Sequence, residues 1–370
     1  MTRRDFAHRI GAAGAGIQIL TEAALAQRAV VQGNLPPDAV YLNANENPEG
    51  PPRSSIEAMI RVLPESGRYH YQEYRDFYAT VARGEGMEPE QLLIGAGSSE
   101  VLQASVHAFT SSAKPLIQAS PTYESVAAVT NALGRKVINV PLTKAWGADV
   151  KKLVEAADRE GGGMIYFCNP NNPTSSITPK ADVEWLVKNL PRNTVALLDE
   201  AYIHFSESPE MESALRWVKE GREVVVTRSY SKIYGMAGLR AGAAYGKPDL
   251  IRRMEPFRNN VISIVTVRAV LAATAEASVL IPDRKTRYNK IRGEVCDFLK
   301  SKNVPYIEPN ANFIMIYIGR DVRNFIPQLV ARGIAPGRPF PPLTNMLRIS
   351  VGTASDMDKF RRVFWEVYSS

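Results

Sequence analysis

A single lysine, Lys232, stands between the valine run Val224–Val226 and a glycine-rich stretch, in SYSKIYGMAGLRAG (residues 229–242). An apolar strand that ends in hydroxyls, one amine and a guanidinium has the parts of a covalent site for an aldehyde that carries a phosphate. An amine attacks a carbonyl only when neutral, so desolvation or nearby positive charge must lower its pKa. Arg240 offers a fork that grips a phosphate through two parallel hydrogen bonds, and Ser229 and Ser231 offer further donors.

Other polar groups are spaced to join that site. In GAGSSEVL (95–102) glycines follow an apolar run and hydroxyls precede a helical pattern. Gly97, Ser98 and Ser99 then fit a phosphate held by backbone N–H groups at a helix N-terminus; an ordinary N-cap serine explains the same pattern. Tyr123 in PTY (121–123) is placed to stack on a flat ring or simply to pack. In CNPNNPTSS (168–176) Asn172 belongs to a turn whose amides either cap backbone or face a ligand. In LLDEAY (197–202) Asp199 ends an apolar run, where a buried carboxylate needs a cation, either a protein side chain or a protonated heterocycle.

The elements that must position these groups follow from hydrophobic patterning. Seven short apolar runs, at 92–95, 115–120, 136–141, 164–170, 194–202, 223–229 and 241–246, alternate with segments of helical periodicity. Strands apolar on both faces and separated by helices predict an α/β fold, a mostly parallel seven-stranded sheet sandwiched by helices with one antiparallel member. In such sheets ligands sit beyond the C-terminal strand ends, where the candidate residues fall. A helical stretch from about Ser263 to Lys302, interrupted at Pro282, opens a smaller α+β unit. The expected division is an N-terminal leader at 1–26, an arm at 27–55, a large domain at 56–258 and a small domain at 259–370. The Asn- and Pro-rich YLNANENPEGPP (41–52) is expected to cross onto the small domain or line the cleft.

The chain has 370 residues, 45% of them hydrophobic, enough for a large core. Its net charge of +7 is spread without a basic block, which argues against nucleic acid as a partner. No 20-residue uncharged segment predicts a membrane span. Cys168 and Cys296 lie far apart with no ligand cluster, so neither a disulfide framework nor a metal site is expected, and both read as small core hydrophobes. TRRDF at the N-terminus, followed by a Gly/Ala-rich apolar segment and ALAQ, has the layout of a cleaved export leader; a plain N-terminal extension is the alternative. The paired arginines resemble a twin-arginine (Tat) signal, which exports folded proteins and implies a periplasmic location.

Taken in order, LNANENPEGPP, RYHYQEYRDFYATVA, PNNPT, LDEAY, SYSKIYGMAGLRAG and LRISVGT resemble the class I/II (fold-type I) aminotransferases that depend on pyridoxal 5′-phosphate, most of all the histidinol-phosphate aminotransferase branch. The resemblance spans about residues 41–368. It implies that Lys232 bonds covalently to the cofactor aldehyde and later moves the substrate proton. It implies that Asp199 pairs with the pyridinium N–H, Tyr202 and Asn172 bond the ring oxygen, and Tyr123 stacks on the ring. Ser98, Ser99, Ser229, Ser231 and Arg240 would hold the phosphate beside Gly97. Tyr69 would reach the phosphate of a neighbouring subunit, implying a homodimer. Asn45, Arg348 and, at looser spacing, Arg338 would face a small-molecule amino donor or 2-oxo acid acceptor. Ser175 stands where the branch has glycine, and Ser99 where it commonly has aspartate. Lyases, decarboxylases, racemases and oxidases share this scaffold and remain alternatives, as do a cofactor-binding regulator and an inactive binding protein. An exported location sits poorly with histidine biosynthesis, which is cytosolic.

Overall fold

The computed structural model describes residue 36 and residues 38–370; the leader expected at 1–26 lies outside them. The seven apolar runs form strands β2 (Leu92–Gly95), β3 (Leu116–Ser120), β4 (Val137–Pro141), β5 (Gly163–Cys168), β6 (Thr194–Asp199), β7 (Val224–Ser229) and β8 (Gly242–Gly246). They join one sheet in the order β2-β8-β7-β6-β5-β3-β4. All neighbours are parallel except β8, which is antiparallel to both β2 and β7. Every residue of β5, β6 and β7 is buried, which is why these stretches read as unbroken apolar runs rather than alternating ones.

The chain runs outward from β3 to β4, then returns to place β5 on the other side of β3 and continues through β6 and β7. Strand order reverses between β3 and β5, and such a reversal opens a crevice at the C-terminal strand ends. Tyr123 follows β3 and Asn172 follows β5, so the topology places them on either side of that crevice. One glycine contact sets the depth of the adjoining wall. A Cβ on Gly242 of β8 would lie 2.2 Å from the Ser98 amide nitrogen, so only glycine lets the helix starting at Ser98 approach the sheet this closely.

A second, antiparallel sheet has the order β12-β10-β9, formed by Met346–Ser350, Phe313–Tyr317 and Tyr306–Ile307. The arm strand β1 (Val40–Leu42) pairs in parallel with β11 (Ile334–Pro336), so the arm does reach across to the C-terminal part of the chain. One continuous apolar cluster joins Phe167 and Val226 of the large sheet to Phe313, Phe325 and Phe364 beyond residue 259.

The helical stretch after residue 263 departs from expectation. It is two helices, Ile264–Ala275 and Ala277–Ser301, meeting at 82°, and the break falls at Glu276 rather than at Pro282. Pro282 lies inside the second helix. In the second turn a proline withholds one N–H, from the Ser278 carbonyl, and its preset φ suits the helix. No single helix among the described residues is long and apolar enough to cross a membrane.

Candidate active site

A cavity of about 370 Å³ opens at the C-terminal ends of the parallel strands. Ten of the predicted residues line it: Ser98, Ser99, Tyr123, Asn172, Asp199, Tyr202, Ser229, Ser231, Lys232 and Arg240.

Asp199 ends β6 and is 3% exposed. Its register partners are Thr227 on β7 and Cys168 on β5. Thr227 Oγ1 donates to Asp199 Oδ1 at 3.0 Å, the Ala201 N–H to the same oxygen at 3.2 Å, and Tyr166 Oη to Oδ2 at 3.5 Å. Burial pushes this carboxyl up to about 6, against the pull of those donors and of the Lys232 charge. A carboxylate this costly to ionise calls for a permanent cation in the cavity, and a protonated ring nitrogen satisfies it.

Lys232 follows β7, where a tight turn returns the Met236 N–H to the Tyr230 carbonyl and the Gly235 N–H to Lys232 O, both at 3.0 Å. Its Nζ donates to the Ala44 carbonyl at 3.2 Å and stands 5.5 Å from the Tyr202 ring centre. Tyr202 packs edge-on against Phe313 and its hydroxyl accepts from Asn45 Nδ2 at 3.2 Å.

At the opposite end, the helix Ser98–Phe109 begins after Gly97 with no side-chain cap. Ser98 and Ser99 are therefore its first helical residues rather than N-caps, and both line the cavity at a helix end whose first N–H groups have no i→i−4 partner. Gly97 has a φ of +84°, and a Cβ there would lie 2.1 Å from an Arg240 terminal nitrogen, so glycine is what lets the guanidinium lie along the loop. Arg240 itself has a left-handed φ of 56° and bonds the Ala237 carbonyl at 2.9 Å. Ser229 Oγ accepts from the Ser231 backbone N–H at 3.1 Å, which orders the Ser229 hydroxyl. Four serine hydroxyls at strand and helix ends, a helix N-terminus and a guanidinium form a phosphate cradle.

Arg348 enters from β12 and is fully buried between the Phe313 and Phe340 rings, 5.5 and 4.4 Å from its guanidinium carbon. It donates to Asn172 Oδ1 at 2.7 Å and to the Asn43 carbonyl at 2.6 Å. It thus joins the second sheet to the turn after β5 and to the arm.

Three predicted residues stand elsewhere. Asn45 is buried in the wall: its N–H donates to Ser350 Oγ at 2.8 Å, and its carbonyl accepts from Asn312 Nδ2 at 3.0 Å. Its neighbours Ala44 and Glu46 line the cavity instead. Arg338 is not brought to the cavity; it pairs with Glu124, bonds the Pro339 carbonyl at 2.8 Å and lies over Phe340. Tyr69 is 65% exposed and stacks on Tyr71 at 5.1 Å.

Ser175 takes up the glycine conformation, with a φ of +62°. Its Oγ accepts from the Asn310 and Ala311 N–H groups at 3.1 and 2.9 Å, tying the turn that carries Asn172 to the chain entering β10. Cys168 is buried as expected, but it also lines the cavity. Tyr166, Thr227, Asn312 and Ser350 were not singled out by the sequence. A hydroxyl interrupting an otherwise apolar strand is the signal that marks Tyr166 and Thr227.

This fold with a lysine, a strand-end aspartate and a phosphate cradle in one cavity defines an aminotransferase, and the chain belongs to aminotransferase class I and II, whose family pattern matches residues 37–364. It is 31% identical over 347 residues to a histidinol-phosphate aminotransferase of Moorella thermoacetica, covering 89% of this chain and 86% of that one. It is 32% identical over 302 residues to an aromatic amino acid aminotransferase of Cutibacterium acnes, covering 80% of this chain and 84% of that one. The crystal structure of histidinol-phosphate aminotransferase from Sinorhizobium meliloti in complex with pyridoxal-5′-phosphate shares the fold, with a TM-score of 0.84, 24% identity and 94% of each chain covered. The enzyme is a pyridoxal-phosphate-dependent transaminase, and its relatives do not favour a lyase, decarboxylase or oxidase. The cavity residues fit the cofactor: a cradle for its phosphate, a buried carboxylate for its ring nitrogen and an amine for its aldehyde.

Proposed function

We propose that the enzyme exchanges an amino group between a donor amino acid and a 2-oxo acid in this cavity, as a homodimer exported by its leader. The carrying observation is that Lys232, Asp199, the serines around Arg240 and Asn172 line one cavity, with Arg348 bonded to Asn172 at its wall. The bound cofactor supplies an electron sink for the pair left when the substrate Cα proton departs. Lys232 Nζ anchors the cofactor aldehyde and, once released, takes the Cα proton and returns it on the other side of the exchange. Asp199 keeps the ring nitrogen protonated. Asn172 and Tyr202 hold the ring oxygen, and Tyr123 covers the ring face. Arg348 orients the substrate through its anionic group, carboxylate or phosphate.

Ile56, Ile60 and Leu63 are 42%, 65% and 58% exposed, and with Tyr69 and Tyr71 they leave an apolar stripe that a second copy would cover. Tyr69 would then reach the neighbour's phosphate. The Tat-like leader favours a periplasmic substrate over a histidine-biosynthetic one, although relatives named for histidinol phosphate keep that compound in the screen.

The test is a panel of amino acids and histidinol phosphate added to purified holoenzyme, reading the cofactor absorbance change from its aldehyde to its amine form and the 2-oxo acid released. Conversion by at least one donor is expected; release of ammonia or CO2 without conversion would sink the proposal. Light scattering reads the oligomer, and the mature N-terminus of periplasmic protein reads export, expected near Gln27.

A further inference from the structure

We propose that the buried Arg228–Glu200 ion pair, on the other face of the sheet from the Asp199 side chain, is the positioning device for Asp199: it clamps the ends of β6 and β7 together and so holds that carboxylate on the cofactor's ring nitrogen. The inference rests on the role given to Asp199 above and adds two residues that touch neither cofactor nor substrate.

The β6–β7 ladder has its last register pair at Asp199 and Thr227, and the Glu200 N–H closes it by donating to the Thr227 carbonyl at 2.9 Å. Beyond that point β7 continues to Ser229 on β8 alone. Side chains alternate across a strand, so Thr227 turns to Asp199 on one face and Arg228 to Glu200 on the other. Both donors to Asp199 Oδ1 adjoin the pair in sequence: Thr227 precedes Arg228, and Ala201 follows Glu200. A shift of either strand end therefore reaches Asp199 through a single residue.

The pair itself is held on all sides. Its arginine and glutamate side chains are 10% and 2% exposed. Glu200 Oε1 accepts from the Ala214 N–H at 2.6 Å, and Oε2 accepts from Ser213 Oγ, Arg228 Nε and Arg228 Nη2, each at 2.9 Å. Arg228 Nη2 also donates to Ser213 Oγ at 2.9 Å, and Nη1 reaches His204 Nε2 at 3.3 Å and the Glu85 carboxylate at 3.6 Å. Desolvating two charges costs about as much as their attraction returns, so such a pair adds little stability over apolar side chains of the same size. What it fixes is geometry, because a planar fork on a carboxylate allows one relative placement of the two strand ends.

The test measures how tightly the cofactor-free enzyme binds the amine form of the cofactor, which associates noncovalently, and its analogue with CH in place of the ring nitrogen. The ratio of the two dissociation constants isolates the Asp199 contact, since changes in the phosphate cradle or in folding act on both compounds alike. Glu200→Gln/Arg228→Met removes both charges at similar volume and leaves the net charge beneath Asp199 unchanged, so it reads position rather than field. The wild type is expected to prefer the nitrogen compound by about thirtyfold, the range of one charge-assisted hydrogen bond, and the double variant by about fivefold. In an Asp199→Asn background, removing the pair should change the ratio by less than about twofold. A double variant within about twofold of the wild-type ratio overturns the inference, as does an equal fall with and without Asp199. Glu200→Gln alone, which keeps an acceptor for the Ala214 N–H, serves if the double variant does not fold; its preference should fall in the same sense, and an unchanged ratio overturns the inference again. An Asp199→Asn enzyme that keeps the full preference refutes the role of Asp199 and the clamp together. One that loses it while the double variant keeps it refutes the clamp alone.

Discussion

The two ends of the cavity are built differently. The phosphate end draws on short segments at the ends of β2 and β7 and at the start of β8, around Gly97, Ser231 and Arg240. These lie on adjacent strands of one buried sheet. The substrate end is assembled from distant parts of the chain. Asn45 and Ser350, 305 positions apart, share two hydrogen bonds, and Arg348 meets Asn172 across 176 positions. Cofactor retention is therefore tied to the large sheet, and substrate orientation to the way the arm and second sheet close onto it. Substitutions at one end should leave the other largely intact, and that separation can be broken experimentally.

The largest effect is expected for Lys232→Ala: turnover should fall by roughly 10⁴-fold or more, while the phosphate cradle still retains cofactor noncovalently. Absorbance of the dialysed protein and borohydride trapping at position 232 check both halves.

Asp199→Asn should lower kcat by roughly 10³-fold through loss of charge opposite the ring nitrogen. In the cofactor-free protein the same change should stabilise. Asp199, pushed up to about 6, binds its proton more tightly folded than unfolded, so its contribution falls as pH rises from about 4 to about 6. Buried His204, pushed down to about 3 by desolvation first and by Arg228 next, acts with the opposite sign: its contribution rises with pH up to its ordinary value of 6.5. The difference between wild type and variant cancels the histidine. Urea unfolding of the two apo proteins should show the variant's advantage growing with pH to about 3 kcal/mol near pH 7.

At the other end, Arg348→Lys should lower kcat/KM by roughly 10²-fold, since a single ammonium cannot replace the fork, and should change cofactor affinity less than threefold. A parallel loss of cofactor would break the separation of the two ends. The smallest effect is expected at Ser175, the strap between them. Ser175→Ala keeps the strained φ and loses two hydrogen bonds, costing about 2 kcal/mol in urea unfolding; Ser175→Gly relieves the strain and should cost about 1 kcal/mol less.

This difference between the two ends also sets how much was legible beforehand. All seven strands of the large sheet follow from apolar runs; six of them are almost wholly buried, so few polar positions disguise them, and only the edge strand β4 is partly exposed. Lys232, Asp199, Ser98 and Arg240 stand at the edges of those runs and were legible with them. Arg338 was misplaced because its spacing does not reveal Glu124, and Pro282 was taken for a helix break because sequence does not show that the bend at Glu276 comes first. Asn45, expected from the arm to face substrate, turns its side chain to Tyr202 and Ser350, while its neighbours Ala44 and Glu46 line the cavity.

The amino-acid order alone determined the sheet, the position of each reactive group at a strand end and, through the motif series, the family. Tertiary structure decided which groups meet across the cleft. Periodicity is a local consequence of burial and hydrogen bonding, so it can be read from neighbours. The approach of Arg348 to Asn172, of Ser175 to Asn310 and of the arm to Lys232 depends on how distant elements pack, and no local pattern encodes that distance.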